Sequence, residues 1–325
     1  MSMRQRSTVL TMLLGTQGSA LALAQAEWVA QRLRGAGIAV RVLPVRSAED
    51  ACSALRAALV AGEVDVAVHS YKDLPVAADP RVVTAAVPER ADPRDALVAR
   101  DGMVLGELPA GSVLGTGSLR RAAQLRALGL GLRVVPIRDT VEARIARVAD
   151  GELDGVVIAA AGLVRLGRID EATELLDPLQ MLPAPGQGAL ACECRVDDLD
   201  TEHLLGALLD DAGVRAVVTA ERALLTSVAA LSNAPVGALA DIVEDLDDEG
   251  RTVLRLFLRG VAATADDDLL RSSATVPYVI GELTDAEQLG RHVGAELLDL
   301  GAGALGADPA LRGPGCGLMG NELGT

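Results

Sequence analysis

Short apolar runs alternate with alanine-rich stretches along most of the chain. Ser7–Thr16 (STVLTMLLGT) predicts a strand, and a polar corner leads into Ser19–Gly37, where apolar residues recur at helical spacing until the glycines stop them. Ala39–Val45 (AVRVLPV) predicts the next strand, Glu49–Glu63 a helix and Val64–Ser70 (VDVAVHS) a strand. This β-α-β-α-β rhythm implies a parallel sheet with covering helices, whose ligands sit beyond the carboxyl ends of the strands. His69, Ser70, Lys72 and Asp73 fall at such an end.

The rhythm repeats after PERADPRDALVAR (Pro88–Arg100). Ser112–Ser118 predicts a strand and turn, Leu119–Leu128 a helix, Leu132–Thr140 a strand, Val141–Glu152 a helix, and Leu153–Gly167 a strand running into a helix. The halves correspond loosely: LLGTQGSALALAQ matches VLGTGSLRRAAQL, and EVDVAVHS matches ELDGVVIAA. Each pairs a Gly-Thr turn with a helix N-terminus, whose exposed N–H groups attract anions. Two α/β lobes facing each other across a cleft are expected. From about Val214 the pattern changes to a smaller α+β domain, with strands at Thr252–Gly260 and Ala274–Leu283 and a helix at Asp285–Gly301. The Gly- and Pro-rich end, 306–325, predicts a disordered tail.

Composition narrows the picture. At 325 residues the chain suits two or three domains, and 50% hydrophobic with 23% charged residues marks it as globular. Aromatics are confined to Trp28, Tyr71, Phe257 and Tyr278, so the core must be built from small aliphatic side chains. A net charge of −15 opposes non-specific nucleic-acid binding, which needs a basic surface, but leaves room for a local arginine cluster that binds a small anion. No run approaches the ~20 apolar residues of a membrane span and no signal peptide stands out, so a cytoplasmic protein without a membrane partner is expected. Cys52, Cys192, Cys194 and Cys316 make no disulfide framework, and three histidines (His69, His203, His292) offer little for a metal site.

Lys72 is the only lysine; the rest of the 30 Lys and Arg residues are arginine. With Asp73 it is the leading site candidate, together with arginines at the matching edge of the second lobe: Arg120 and Arg121 after GTGS, Arg138 at a strand end, Arg144 on the next helix, and Arg165 after AAAGL. Guanidiniums converging on one cleft suit a ligand with several carboxylates. Each arginine taken alone fits a solvated face better than a site, the set at strand ends less so, and Asp73 fits a structural N-cap before LPVAADP as well as a catalyst.

The motifs AVHSYKDLP, ERADPRDALV, LGTGSLRRAAQL, LPAPGQGALACECR and AERALL…APVGALA occur here in the order found in hydroxymethylbilane synthases (porphobilinogen deaminases), and the chain resembles that family from residue 9 to about 300. The resemblance implies two periplasmic-binding-protein-like lobes with mixed sheets, 1–90 with 189–212 and 91–188, followed by a C-terminal α+β domain at 213–305. It implies condensation of porphobilinogen units with loss of ammonia, through an azafulvene, on a dipyrromethane cofactor thioether-linked to a cysteine, with no metal. Carried over by motif, Asp73 is the catalytic carboxylate. Lys72, Ser118, Arg120, Arg121, Arg138, Arg144 and Arg165 bind carboxylates of substrate or cofactor, and Gln187 lies in the hinge.

Several positions depart from the family pattern. Ser232, in ALSNAPVGA, stands where the cofactor cysteine belongs, and its hydroxyl is a far poorer nucleophile than a thiolate. Gln17 replaces an arginine, Asp139 and Thr140 replace Gly-Asn in an anion-binding turn, and a short helix replaces a glycine- and lysine-rich lid. Two functions follow. The chain is a pyrrole-condensing enzyme holding its primer atypically, or a diverged paralogue, a monomer binding a pyrrole or other polycarboxylate without tetrapyrrole synthesis.

Overall fold

The computed structural model describes residues 11–45, 51–229, 235–264 and 268–302. The start of the first predicted strand, Ser232 and the predicted tail lie outside the described residues. The chain runs β1 (Met12–Gln17), α1 (Ala20–Gly35), β2 (Val40–Val45), α2 (Ala51–Val60), β3 (Val66–Ser70) and β4 (Val82–Ala86). It continues through β5 (Asp95–Ala99), β6 (Val113–Thr116), α3 (Leu119–Ala127), β7 (Arg133–Pro136), α4 (Val141–Ala149), β8 (Gly155–Ala159), α5 (Ala160–Arg165) and β9 (Glu174–Leu175). Then come β10 (Leu190–Arg195), α6 (Leu199–Leu209), α7 (Ala212–Ala229), β11 (Val236–Leu246), β12 (Thr252–Ala263), β13 (Leu269–Pro277) and α8 (Thr284–Leu297).

Local chemistry sets the helix starts. Ser19, Ser118 and Thr140 are the N-caps of α1, α3 and α4, each accepting from the backbone N–H three residues on. Arg32 and Arg34 in the last turn of α1 suit the negative end of its dipole.

The strands form two five-stranded sheets of matching design. The first has the order β2-β1-β3-β10-β4, with β1, β2 and β3 parallel and β10 antiparallel to both neighbours. The second has the order β7-β6-β8-β5-β9, with β6, β7 and β8 parallel and β5 antiparallel to both neighbours. The chain thus crosses out of the first lobe after β4 and returns as β10. Leu14, Val29, Leu33, Val66 and Leu190 anchor the core of the first lobe. Leu97, Leu114, Leu125 and Val157 pack one face of the second sheet, and Ile145, Val156 and Ile158 the other.

The third domain is an antiparallel sheet, β11-β12-β13, with α7 and α8 packed together against it over Leu224, Leu256, Leu258, Val293 and Leu297. Here one predicted strand shifts. The sequence pattern carries a strand from Ala274 to Leu283, whereas β13 starts at Leu269 and ends at Pro277. Tyr278 turns into the core, its hydroxyl donating to Ala212 O at 3.2 Å, and Val279 and Ile280 are exposed before a turn at Gly281. Apolar side chains at the surface mimicked strand alternation. Among the described residues no helix is long and apolar enough to cross a membrane.

Candidate functional site

Strand β3 ends at Ser70 and the chain turns tightly through Tyr71–Asp73. Tyr71 N donates to Ala189 O at 3.0 Å, which pins this turn to the returning segment before β10. Across from it, the corner between β6 and α3 presents Gly117, Ser118, Arg120 and Arg121, and the segment between β7 and α4 presents Arg138, Asp139 and Thr140. Together with Lys72, Asp73, Arg144 and Gln187 these residues line a cavity of about 770 Å³. Gly117 is required here, because a Cβ would stand 2.5 Å from Ile137 O.

The cations do not all serve the cavity in the same way. Asp95, fully buried at the start of β5, accepts from Arg120 Nη2 at 2.8 Å and from Arg121 Nη2 at 2.7 Å. Burial alone would raise the Asp95 pKa, but the two guanidiniums and the Gln187 amide hold it well below the usual carboxylate range. Arg120 also donates to Leu182 O, and Arg121 to Val157 O at 2.9 Å. Two arginines sharing one carboxylate leave about one net positive charge facing the cavity, held rigidly.

Arg144 and Arg138 are differently placed. The Arg144 Nε is buried without a hydrogen-bond partner, and burial, then Arg121, lower its pKa. Arg138 is exposed. Asp139 lies beside them, 3.2 Å from Arg147 on the outer face of α4, which also binds Glu152.

Gln187 ties the two walls together. Its Oε1 accepts from Lys72 Nζ at 3.1 Å, and its Nε2 donates to Pro93 O at 2.8 Å and Asp95 Oδ1 at 2.7 Å. Lys72 is half-buried, and desolvation, with Arg121 nearby, lowers its pKa to about 8. Asp73 is exposed at the cavity mouth, with no hydrogen bond or salt bridge to its side chain among the described residues.

Other predicted residues stand apart. Arg165, on α5, is not part of the cavity wall; it donates to Gly188 O at 2.7 Å, and burial lowers its pKa to about 10. Gln17, at the end of β1, does not line the cavity either. Cys192 and Cys194 are buried in the first lobe, where desolvation raises their pKa values to about 12 and about 11. Among the described residues no group of three or more His, Cys, Asp or Glu side chains is placed to hold a metal ion.

Besides Asp95, the residue pattern alone did not reveal two further buried carboxylates, Glu221 and Glu193. Glu221 on α7 accepts from both Arg90 Nη atoms at 2.8 and 3.0 Å, from Gly186 N at 2.6 Å and from Ala240 N at 2.9 Å. Arg90 Nε donates in turn to Gln187 O at 2.9 Å. One acid thereby joins both interlobe crossings to the third domain. The crossings touch backbone to backbone, and a Cβ on Gly188 would stand 2.3 Å from Ala91 O. In the first lobe Glu193 on β10 binds Arg56 of α2 through two hydrogen bonds of 2.9 and 2.7 Å. Burial would raise its pKa, yet these bonds bring it down to about 2. His69 Nε2 approaches Glu193 to 3.3 Å without hydrogen-bond alignment. The signal for Glu193 and Glu221 was an ionisable residue inside an apolar run, CEC in β10 and AERALL in α7, and for Asp95 an acid opening the apolar DALVA.

A family model described as porphobilinogen deaminase, dipyromethane cofactor binding domain, matches residues 12–203. The porphobilinogen deaminase of Nocardia farcinica is 54% identical over 316 residues, covering 93% of this chain and 90% of the relative. That of Mycobacterium tuberculosis strain H37Rv is 52% identical over 303 residues, covering 89% and 96%. A periplasmic substrate-binding protein of an ABC transporter from Coxiella burnetii superposes with a TM-score of 0.42 at 14% identity, over 61% of this chain and 91% of that one.

Proposed function

The chain belongs to the porphobilinogen deaminase family, and from that premise we propose that it deaminates porphobilinogen and joins the resulting units at the cavity between its lobes, as a cytoplasmic monomer. The observation that carries this is Asp73, an exposed carboxylate without a side-chain partner among the described residues, on a cavity wall dominated by Lys72, Arg120, Arg121, Arg138 and Arg144, whose other acid, Asp139, is paired with Arg147.

The chemistry asks for that pairing. The protonated aminomethyl group leaves as ammonia when the C–N bond breaks, and the pyrrole nitrogen supplies the electrons, giving a cationic azafulvene. Asp73 stabilises that cation through the pyrrole N–H and takes the proton displaced when the new C–C bond forms. Lys72, Arg138 and Arg144 hold the acid side chains of the substrate. Arg120 and Arg121, fixed by Asp95, supply a static positive field that needs no reorganisation during reaction.

The family cofactor, when bound, supplies the pyrrole α-carbon that receives the first unit. The unpartnered Arg144 Nε and the cationic wall fit its carboxylates. A thioether at the family position does not fit, because Ser232 stands in the cysteine position. Among the described residues the thiols of Cys52, Cys192 and Cys194 do not line the cavity, and burial keeps Cys192 and Cys194 protonated; Cys316 lies outside the described residues. The cofactor is therefore held by ion pairs. The purified 33.4 kDa chain should show its unmodified mass while releasing a pyrrole on denaturation. An added dipyrromethane mass after denaturation would overturn the ion-pair attachment. Porphobilinogen that yields no ammonia would overturn the enzymatic reading. It would favour the second one, a polycarboxylate-binding paralogue, for which Asp139 in the anion-binding wall speaks.

A further inference from the structure

Because the Asp73 side chain is untethered among the described residues, only the backbone around it fixes where the carboxylate stands. That backbone is held on both sides. Upstream is the bond from Tyr71 N to Ala189 O, and the turn closes with Leu74 N donating to Tyr71 O at 3.1 Å. Downstream, Arg222 donates from Nη1 to Leu74 O at 3.0 Å and from Nη2 to Pro75 O at 2.6 Å.

Arg222 lies on α7, in the third domain, and is half-buried. Among the described residues its guanidinium has no carboxylate partner; the cation is committed to two neutral carbonyls. Partly desolvating a cation without a counter-ion carries a cost, so a simple glue between domains would be better made from apolar contacts. What a two-pronged guanidinium adds is direction, since its fork fixes two successive carbonyls at once. Its neighbour Glu221 accepts from Gly186 N and holds Arg90, whose Nε donates to Gln187 O. Consecutive residues of one helix thus hold the hinge and the turn that carries Asp73.

We propose that Arg222 is a positioning residue: a third-domain side chain that sets where the Asp73 carboxylate stands relative to the arginines of the second lobe. The proposal rests on Asp73 being the reacting carboxylate.

The test compares R222Q and R222K in the full chain with the unmodified protein. R222Q should lose about 100-fold in kcat for ammonia release from porphobilinogen while KM stays within about twofold, because orientation and not binding is lost. R222K, which keeps the charge and one carbonyl bond, should recover to within about tenfold of the unmodified protein. Hydrogen exchange at the Leu74 amide should quicken at least about tenfold in R222Q at an unchanged melting temperature, showing local loosening and not global unfolding. If R222Q does not fold, the kcat of R222K and its Leu74 exchange decide. Unaltered kcat and unaltered Leu74 exchange in the variants would overturn the proposal alone, as would a kcat loss that only tracks the fraction unfolded. An unmodified protein that releases no ammonia would overturn the reading of Asp73, and this proposal with it.

Discussion

The two lobes share one strand order but use different corners of it. In the second lobe the β6–α3 corner lines the cavity with Ser118, Arg120 and Arg121; its counterpart in the first lobe, the β1–α1 corner with Gln17 and Ser19, contributes nothing to the wall. Conversely, the turn after β3 places Lys72 and Asp73 in the cavity, while the segment after β8 continues as α5 and sends Arg165 to the hinge. Each lobe also has a buried acid on its antiparallel strand. Asp95 on β5 holds cavity arginines, whereas Glu193 on β10 holds Arg56 of α2, away from the cavity. The shared strand order thus carries charge at different strand ends, Lys72 and Asp73 on one wall and arginines on the other; on the function proposed above, the first is the reactive wall and the second holds anions.

The sharpest break in that division is Asp73→Asn. Turnover should fall by about 10²- to 10⁴-fold while calorimetry shows ligand affinity unchanged or improved, since the reactive wall loses its acid and the holding wall is untouched. Next comes the pair Asp95→Asn and Glu193→Gln. Each should cost about 3–5 kcal/mol in denaturant unfolding, because a buried cation loses its partner. Only Asp95→Asn should also raise KM. The Glu193 contribution is present above the ordinary carboxylate range and fades as pH falls towards its folded pKa of about 2, so the Glu193→Gln deficit should shrink on acidification.

Arg144→Leu should raise KM by about tenfold with a smaller change in kcat, the loss of one charge-assisted contact. A pH series tests Lys72 on the other wall. With its pKa lowered to about 8, the lysine is charged below that pH and neutral above it, so KM should climb as pH passes 8. Lys72→Met should start with a higher KM and lose that inflection. Smallest of all, Gln17→Arg would give the first lobe a cation at its silent corner and should tighten carboxylate binding by no more than about fivefold. A larger gain would mean that this corner reaches the ligand after all.

Much of this was legible in the sequence. The paired β-α-β runs foretold both sheets, because apolar runs punctuated by Gly-Thr and Ser corners leave few alternatives. Strands β4, β5 and β9 were not resolved by pattern: VVTAA and DALVA are short and lie among Pro and Arg residues, and β9 has two residues. The strand position of β10 was carried by motif order, since its place between β3 and β4 depends on contacts far apart in sequence. Lys72, Asp73, Arg120, Arg121, Arg138 and Arg144 could be nominated from strand ends, together with Arg165, which does not line the cavity, whereas Ser118 and Gln187 came only from the family motifs. The different duties of the arginines could not be read that way. Arg120 and Arg144 look alike in sequence, and only the long-range contact with Asp95 separates a locked guanidinium from one with an unpartnered Nε.

The placement of β10 also has a consequence for how the protein is made. On the ribosome, β1, β2 and β3 can pair as soon as they emerge, but β4 has no partner in the sheet until β10 appears roughly a hundred residues later. At ordinary rates of synthesis that interval lasts about 5–20 s, during which β3 presents an open edge and the whole second lobe can fold. The half-built first lobe is thus the stage most exposed to wrong pairing. The clasp at Glu221, made only after Ala240 emerges, is among the last contacts to form.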